Sequence, residues 1–369
     1  MISKSDTGFR PDYAVPPGET LKETLDSRGM TQAQLADRTG RPKKTINEIV
    51  KGKAAITAET SLQFERVLGI PASFWNNLER NYQETLARLK EEGKLRSQVE
   101  WLKTFPVNAL IKSGWIKKVT SPVQQLQELL NFFGVAGVGE WKRQWESPQA
   151  VYRKSLAHAS NAPAIAAWLR KGEIEASKMA CRSFDAATFQ KSLEQVRRLT
   201  LEPPEKFQPQ LKDVCAAAGV ALIFVPELPK TRIFGATRWL TSNKALIQLS
   251  LRGKSDDHLW FTIFHEADHI LLHGKKAIFI NMGDDGCTDG SMKTREELEA
   301  DRFARDFLVP PKPYKVFIGK EKFDDSSIKA FANDQGIAPG VVVGRLQHDR
   351  VIPYSRGNSL KKRLRFARQ

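Results

Sequence analysis

The residues best suited to chemistry are His265, Glu266 and His269, set as His265-Glu266-Ala267-Asp268-His269 within the apolar run Trp260 to Leu272. In a helix, residues four apart share a face. Both imidazoles can then reach one zinc ion, with Glu266 beside them to take a proton from an attacking water. That is the chemistry of a zinc peptidase. Trp260, Phe264, Ala267 and Leu271 define one apolar face and Ile263 and Ile270 a second, so this helix is expected to be buried. Buried imidazoles need partners, and a metal ion would satisfy both. Zinc also takes a third protein ligand. His273 is poorly placed for this, because it lies roughly 12 Å along the axis from His265. The helix predicted at Arg295 to Leu308 offers better candidates. Ala300, Phe303, Ala304, Phe307 and Leu308 form its buried face, with Glu297 at the edge and Glu299 pointing away. Glu297 is the expected ligand and Glu296 the alternative. Thr294-x-x-Glu297 is also a capping box, which would give Glu297 a purely structural role. His258 is expected to cap its helix or face solvent.

A second constellation lies near the other end of the chain. Thr31-Gln32-Ala33-Gln34 is a capping-box pattern, with Thr31 as the cap and Gln34 reaching back. Leu35 and Ala36 give that helix its apolar side, and Gly40 suits its end. Pro42 then suits the first turn of a new helix. In that helix Ile46, Ile49 and Val50 should face the core. Lys43, Asn47 and Lys51 fall four apart on the other side, next to Lys44 and Thr45. Two helices joined by a glycine turn, the second exposing amide and basic groups, make a helix-turn-helix layout. Asparagine can pair with adenine through two bonds, and lysines reach phosphate or guanine. Gln32, Lys43, Lys44, Thr45, Asn47 and Lys51 are the expected DNA-facing residues.

The balance of charge agrees. The net charge is +16 over 369 residues, which favours polyanionic partners, nucleic acid first. Arg38 to Lys53 is one basic cluster and the tail from Arg356 another. That tail reads either as a frayed terminus or as an arm for phosphates. No run approaches a membrane span, and the first residues lack the apolar core of a signal peptide. Cys181, Cys215 and Cys287 are scattered, which excludes a disulfide framework and a cysteine zinc site and suggests a reducing, cytoplasmic setting.

Periodicity and breakers organise the rest. Residues 1–16 look loose. Short helices separated by Gly and Pro follow to about Lys90, and the polar stretch Lys90 to Glu100 continues the last helix or links onward. Phe74, Leu78, Tyr82 and Leu86 stripe that last helix, suiting core packing or a share in a dimer interface. Residues 101–205 read as mainly helical, with a break at Phe133 to Gly137 and a boundary at Pro203-Pro204. The tryptophans 101, 115, 141, 145 and 168 fit core and surface rather than a ligand cage. Strands are predicted at Val220 to Val225, Ile233 to Leu240, Ala245 to Leu251 and Ala277 to Ile280. A glycine-rich loop (Gly283, Gly286, Gly290) precedes the helix at Arg295.

Two family resemblances rest on these residues. Residues 14–90 resemble HigA-type antitoxins of the XRE-like helix-turn-helix family. The match is carried by Thr31 to Ala36, Ile46 to Lys53, Ile56 to Thr60 and Leu68 to Leu78. It implies a five-helix fold that binds palindromic operators in double-stranded DNA as a homodimer. Roughly residues 205–350 resemble the ImmA/IrrE metallopeptidases, through Phe264 to His273, Glu297 to Ala304, Phe307 to Pro310 and Val341 to Leu346. Glu297 to Asp301 is an ExxxD step like that of gluzincins. By that likeness Glu297 binds zinc and Asp301 supports a ligand histidine through a hydrogen bond. Asp268 departs from the family, which commonly has a small residue there. An acid at that position is expected at the domain surface, or it disturbs the site.

The expected architecture is multidomain. It comprises an all-α helix-turn-helix domain (1–95), a helical middle region (96–204), an α+β zincin-like domain of gluzincin type (205–350) and a basic tail (351–369). The expected function is a DNA-binding transcriptional regulator of the antitoxin type that carries a zinc-dependent peptidase domain. The alternatives are a zinc endopeptidase cutting a partner repressor or toxin, and a silent peptidase fold used for sensing or interaction.

Overall fold

A computed structural model describes residues 13–146, 161–275, 278–282 and 294–366. Several expectations fall outside these residues: the loose start over 1–12, Ala277, the glycines 283, 286 and 290, Cys287 and Arg368. The contacts divide the chain into two compact units. One holds the residues up to Glu100 with Ser121–Leu126, and the other holds Trp101–Thr120 and everything from Gln127.

The first unit is helical. It contains α1 (Pro17–Ser27), α2 (Gln32–Thr39), α3 (Lys43–Val50), α4 (Ala58–Leu68) and α5 (Ala72–Arg96). Thr31 caps α2 in a full capping box with Gln34. Gly40 ends it at φ 68°, a left-handed conformation that favours glycine. Pro42 stands at the N-cap of α3 and not inside its first turn, because its extended ψ of 138° delays the helix to Lys43. Leu21, Leu25, Leu35, Ile46, Ile49, Phe64 and Trp75 close the core, and Phe64 meets Trp75 edge-on at 5.4 Å. The stripe on α5 divides: Leu78 packs against this core and Tyr82 is half-buried, whereas the other two face outward. Phe74 and Leu86 are 41% and 38% exposed, because Trp75 takes the inward position beside Phe74.

In the second unit come first α6 (Val107–Lys112), the part of α7 (Pro122–Phe133) from Gln127 onward, its earlier residues belonging to the first unit, and α8 (Val138–Trp145). Trp101, Phe105, Phe133, Trp141 and Trp145 pack ring against ring, so these tryptophans build a core. Next come α9 (Ala162–Lys178), α10 (Ala186–Arg198) and α11 (Pro204–Ala217). Pro203 and Pro204 cap and open α11, and the helices before them share a core with the sheet. Trp168 of α9 donates its ring N–H to the Val225 carbonyl at 3.1 Å, and Gln248 donates to the Trp168 carbonyl at 2.6 Å.

The sheet is small and mixed. Its strands are β1 (Val220–Phe224), β2 (Ile233–Thr241), β3 (Lys244–Leu249) and β4 (Phe279–Met282), in the order β1-β3-β2-β4. β1 runs parallel to β3, while β2 is antiparallel to both β3 and β4. Against it lies α12 (Asp256–Leu272), buried along nearly its whole length. Then follow α13 (Arg295–Leu308), α14 (Pro311–Ile318), α15 (Asp325–Gln335) and α16 (Pro339–His348). Among the described residues no helix is long and apolar enough to cross a membrane.

The described part of the basic tail is neither frayed nor a free arm. Arg363 bridges Ser255, the Lys362 carbonyl accepts from the Asp256 N–H while the Lys362 N–H donates to Asp256 Oδ1, and Leu364 donates to the Lys254 carbonyl at 2.9 Å. Lys361 meets Asp257 at 2.6 Å. The first turn of α12 offers unpaired N–H groups and two carboxylates, and the basic segment supplies the complement. Burial first, and Asp257 beside it, push Asp256 up to about 6. A raised carboxyl pKa means that the folded chain holds this proton more tightly than the unfolded one. The fold therefore loses stability as pH rises from about 4 through about 6, by on the order of 1–3 kcal/mol. Asp256→Asn lacks that step. Urea unfolding at pH 4 and pH 8 should show the variant gaining on wild type at the higher pH only, and an equal difference at both would refute this account.

Candidate functional site

The second unit places four chemically suited side chains at one point. α12 supplies His265 and His269 from adjacent turns, and α13 packs across it with Glu297 and Asp301 one turn apart. Phe264 stacks on Phe307 at 5.1 Å, which sets the two helices face to face. His265 Nε2 lies 3.2 Å from His269 Nε2 and 3.2 Å from Glu297 Oε2, and His269 Nε2 lies 3.5 Å from Glu297 Oε1. Ligand atoms of a tetrahedral zinc with bonds near 2.05 Å stand roughly 3.3 Å apart. The three donors, two imidazoles and one carboxylate, therefore fit zinc in type and in spacing. Asp301 Oδ1 takes a hydrogen bond at His265 Nδ1, 3.0 Å away. Thr294 caps α13 by accepting from the Glu297 N–H, which leaves the Glu297 carboxylate to the histidines. Glu296 is exposed and stands outside the cluster.

Glu266 is fully buried, and neither carboxylate oxygen has a hydrogen-bond partner among the described residues. Its backbone carbonyl accepts from Thr237 at 3.1 Å. Gly235 of β2 makes its room, because a Cβ there would stand 2.8 Å from Glu266 Oε1. Burial pushes Glu266 up to about 8 against the opposing pull of His265. Burial works against protonation of His265, yet Asp301 and Glu297 hold that imidazole up at about 10. Burial, with His265 and His273 beside it, holds His269 down at about 2.

Two carboxylates depart from expectation, and His273, as expected, stays outside the ligand group. Asp268 is not at the surface; it is fully buried, and burial raises it to about 6. His273 cannot reach His265, but its Nδ1 lies 2.9 Å from His269 Nδ1. Glu299 does not point away: its Oε2 lies 3.4 Å from His273 Nε2. The spacing of His273 from His269 repeats that of His269 from His265, and that repeat was the available signal. Gly235, a glycine inside a strand pattern, carried a signal of close approach as well. His258 faces solvent and stacks on Phe234 at 5.7 Å.

In the first unit, α3 follows α2 across the turn at Gly40 to Pro42. Lys43, Lys44 and Lys51 are exposed, while Gln32, Thr45 and Asn47 are half-buried. Lys51 sits just past the last turn of α3. Asn47 donates its amide N–H to Gln32 Oε1 at 3.1 Å, so the two amides orient each other. Lys44 and Glu48 stand 3.9 Å apart, an exposed pair too loose to withdraw the lysine from another partner. Val50 is half-buried, and Ile46 and Ile49 are fully so.

Residues 21–75 match a helix-turn-helix family model. Virulence-associated protein I of Dichelobacter nodosus is 36% identical over 75 residues, which make up 20% of this chain and 69% of that protein. A solved structure described as an addiction module antidote protein of a HigA family, from Coxiella burnetii, shares 34% identity; the match covers 22% of this chain and 88% of that one at a TM-score of 0.21. Another, described as an antidote protein of a plasmid maintenance system from Nostoc punctiforme, shares 26% identity and covers 24% of this chain and 94% of that one at a TM-score of 0.22.

Proposed function

Since the chain belongs, through residues 21–75, to a helix-turn-helix family and is similar there to virulence-associated protein I, we propose that it is a DNA-binding regulator of the antitoxin type whose second unit carries a zinc site. The observation behind this reading is the face of α2 and α3, where Gln32 and Asn47 orient each other between exposed lysines. Such a face offers amide groups to base edges and ammonium groups to phosphates. In this reading the protein binds a palindromic operator as a homodimer, with a toxin or repressor as protein partner. Gel-shift titration on DNA from upstream of its own coding sequence tests it. Wild type should bind one discrete site. A variant with alanine at Lys43, Lys44 and Asn47 should bind about a hundredfold more weakly, with a shallower salt dependence. Unchanged affinity in that variant would remove this face from DNA recognition.

The zinc site supports a second reading, an ImmA/IrrE-like zinc peptidase over about residues 205–350. The observation that favours it is the spacing of His265 Nε2, His269 Nε2 and Glu297. Bound zinc would supply a Lewis acid for a peptide carbonyl. Glu266 would take a proton from the attacking water at a carboxylate oxygen and pass it to the leaving amine. Asp301 would fix the His265 ring, and Gly235 would keep Glu266 free of a neighbouring side chain. Elemental analysis of protein purified without added metal should find about one zinc per chain. No zinc, even after zinc is supplied, would leave this unit a sensor or scaffold.

A further inference from the structure

Resting on that zinc site, we propose that His273 and Glu299 form a relay that holds His269 in the tautomer able to bind a metal. His269 turns Nε2 toward His265 and Glu297, while its Nδ1 faces His273 Nδ1 at 2.9 Å. Two facing ring nitrogens can bond only when one carries a hydrogen and the other a lone pair. Glu299 decides which. Its carboxylate can only accept, and Oε2 lies 3.4 Å from His273 Nε2, so a neutral His273 keeps its hydrogen on Nε2. His273 Nδ1 then accepts, and His269 Nδ1–H donates. The lone pair of His269 is left on Nε2, where the ligand atoms converge.

Each member of the relay is itself held. Arg295 Nε donates to Glu299 Oε1 at 2.7 Å. The His273 backbone N–H bonds the His269 carbonyl at 3.2 Å, anchoring the imidazole at the end of α12. Phe279 of β4 stacks on the His269 ring at 4.0 Å and fixes its plane. The two metal-facing histidines are thus supported differently. His265 leans directly on the Asp301 carboxylate, and His269 reaches its carboxylate through a second imidazole. His273 and Glu299 are positioning residues, acting on the metal only through His269.

The test compares wild type, His273→Phe, His273→Gln and Glu299→Ala at pH 8. Phenylalanine keeps a ring without an acceptor, whereas the glutamine carbonyl restores one. Two readouts serve: zinc affinity by competition with a chelator, and the His269 tautomer from imidazole nitrogen shifts in the metal-free protein. His273→Phe should weaken zinc about 10- to 100-fold, His273→Gln should recover most of it, and Glu299→Ala should fall between. The metal-free wild type should show His269 protonated on Nδ1, with Nε2–H appearing in the phenylalanine variant. Full zinc affinity in His273→Phe, or Nε2–H on His269 in wild type, would overturn the relay. Wild type without zinc affinity would overturn the zinc site, while the tautomer still decides the relay. Should His273→Phe not fold, Glu299→Ala carries the same prediction, because Glu299 is partly exposed and contributes to no apolar core.

Discussion

Alanine at His265 is expected to empty the proposed zinc site. His265 Nε2 stands 3.2 Å from both other ligand groups, so its loss takes away one of three protein donors. It also leaves Asp301 without the imidazole it holds and places Glu266 beside a cavity. The fall in zinc affinity should be about a thousandfold, given the 10–16 kcal/mol that structural zinc sites draw from their full ligand set. Metal analysis should find about one zinc per chain in wild type and none in the variant. His348→Ala is the control: that ring is exposed, pairs with Asp349 at 3.2 Å and stands outside the cluster. Zinc retained in His265→Ala would place the metal elsewhere. Zinc lost from His348→Ala as well would point to general damage.

Glu266→Gln is expected to separate binding from chemistry. The amide matches the carboxylate in shape, so the space opposite Gly235 is filled as before and the histidines keep their places. Zinc content should not change. Cleavage should fall about 10²- to 10⁴-fold, the usual size of a lost general base. Burial raises the native carboxyl above the usual carboxylate range, the direction in which a general base is tuned. The measurement is mass spectrometry of peptide products from candidate repressor and toxin partners. An unchanged rate in the variant would refute Glu266 as the base. Zinc without cleavage in wild type would make the unit a silent peptidase fold.

Much of the candidate site could be read one element at a time. The helix from Arg295 to Leu308 has the bounds its periodicity indicates, and Glu297 and Asp301 do lie on the side facing His265. The capping box at Thr31 and the left-handed Gly40 follow from local hydrogen bonding alone. Phe74 was harder, because an apolar stripe on a helix does not say which neighbour, here Trp75, will take the inward place. His273 was missed for a related reason. Its distance along the axis rules it out as a ligand beside His265, and only the packed site brings its Nδ1 to 2.9 Å from His269 Nδ1.

The sequence by itself determined the local pieces: helix and strand periods, caps, breakers, and which side chains share a helical face. These depend on residues within a turn or two of one another. Tertiary structure alone decided the strand order β1-β3-β2-β4, the docking of α9 through Trp168 and Gln248, and the seating of Lys361 to Leu364 on the first turn of α12. It also decided that Glu299 meets His273 and that Gly235 makes room for Glu266. Each of these joins residues far apart in the chain. Hydrogen-bonding groups and apolar faces are largely interchangeable until packing chooses their partners, so no local pattern encodes such pairings.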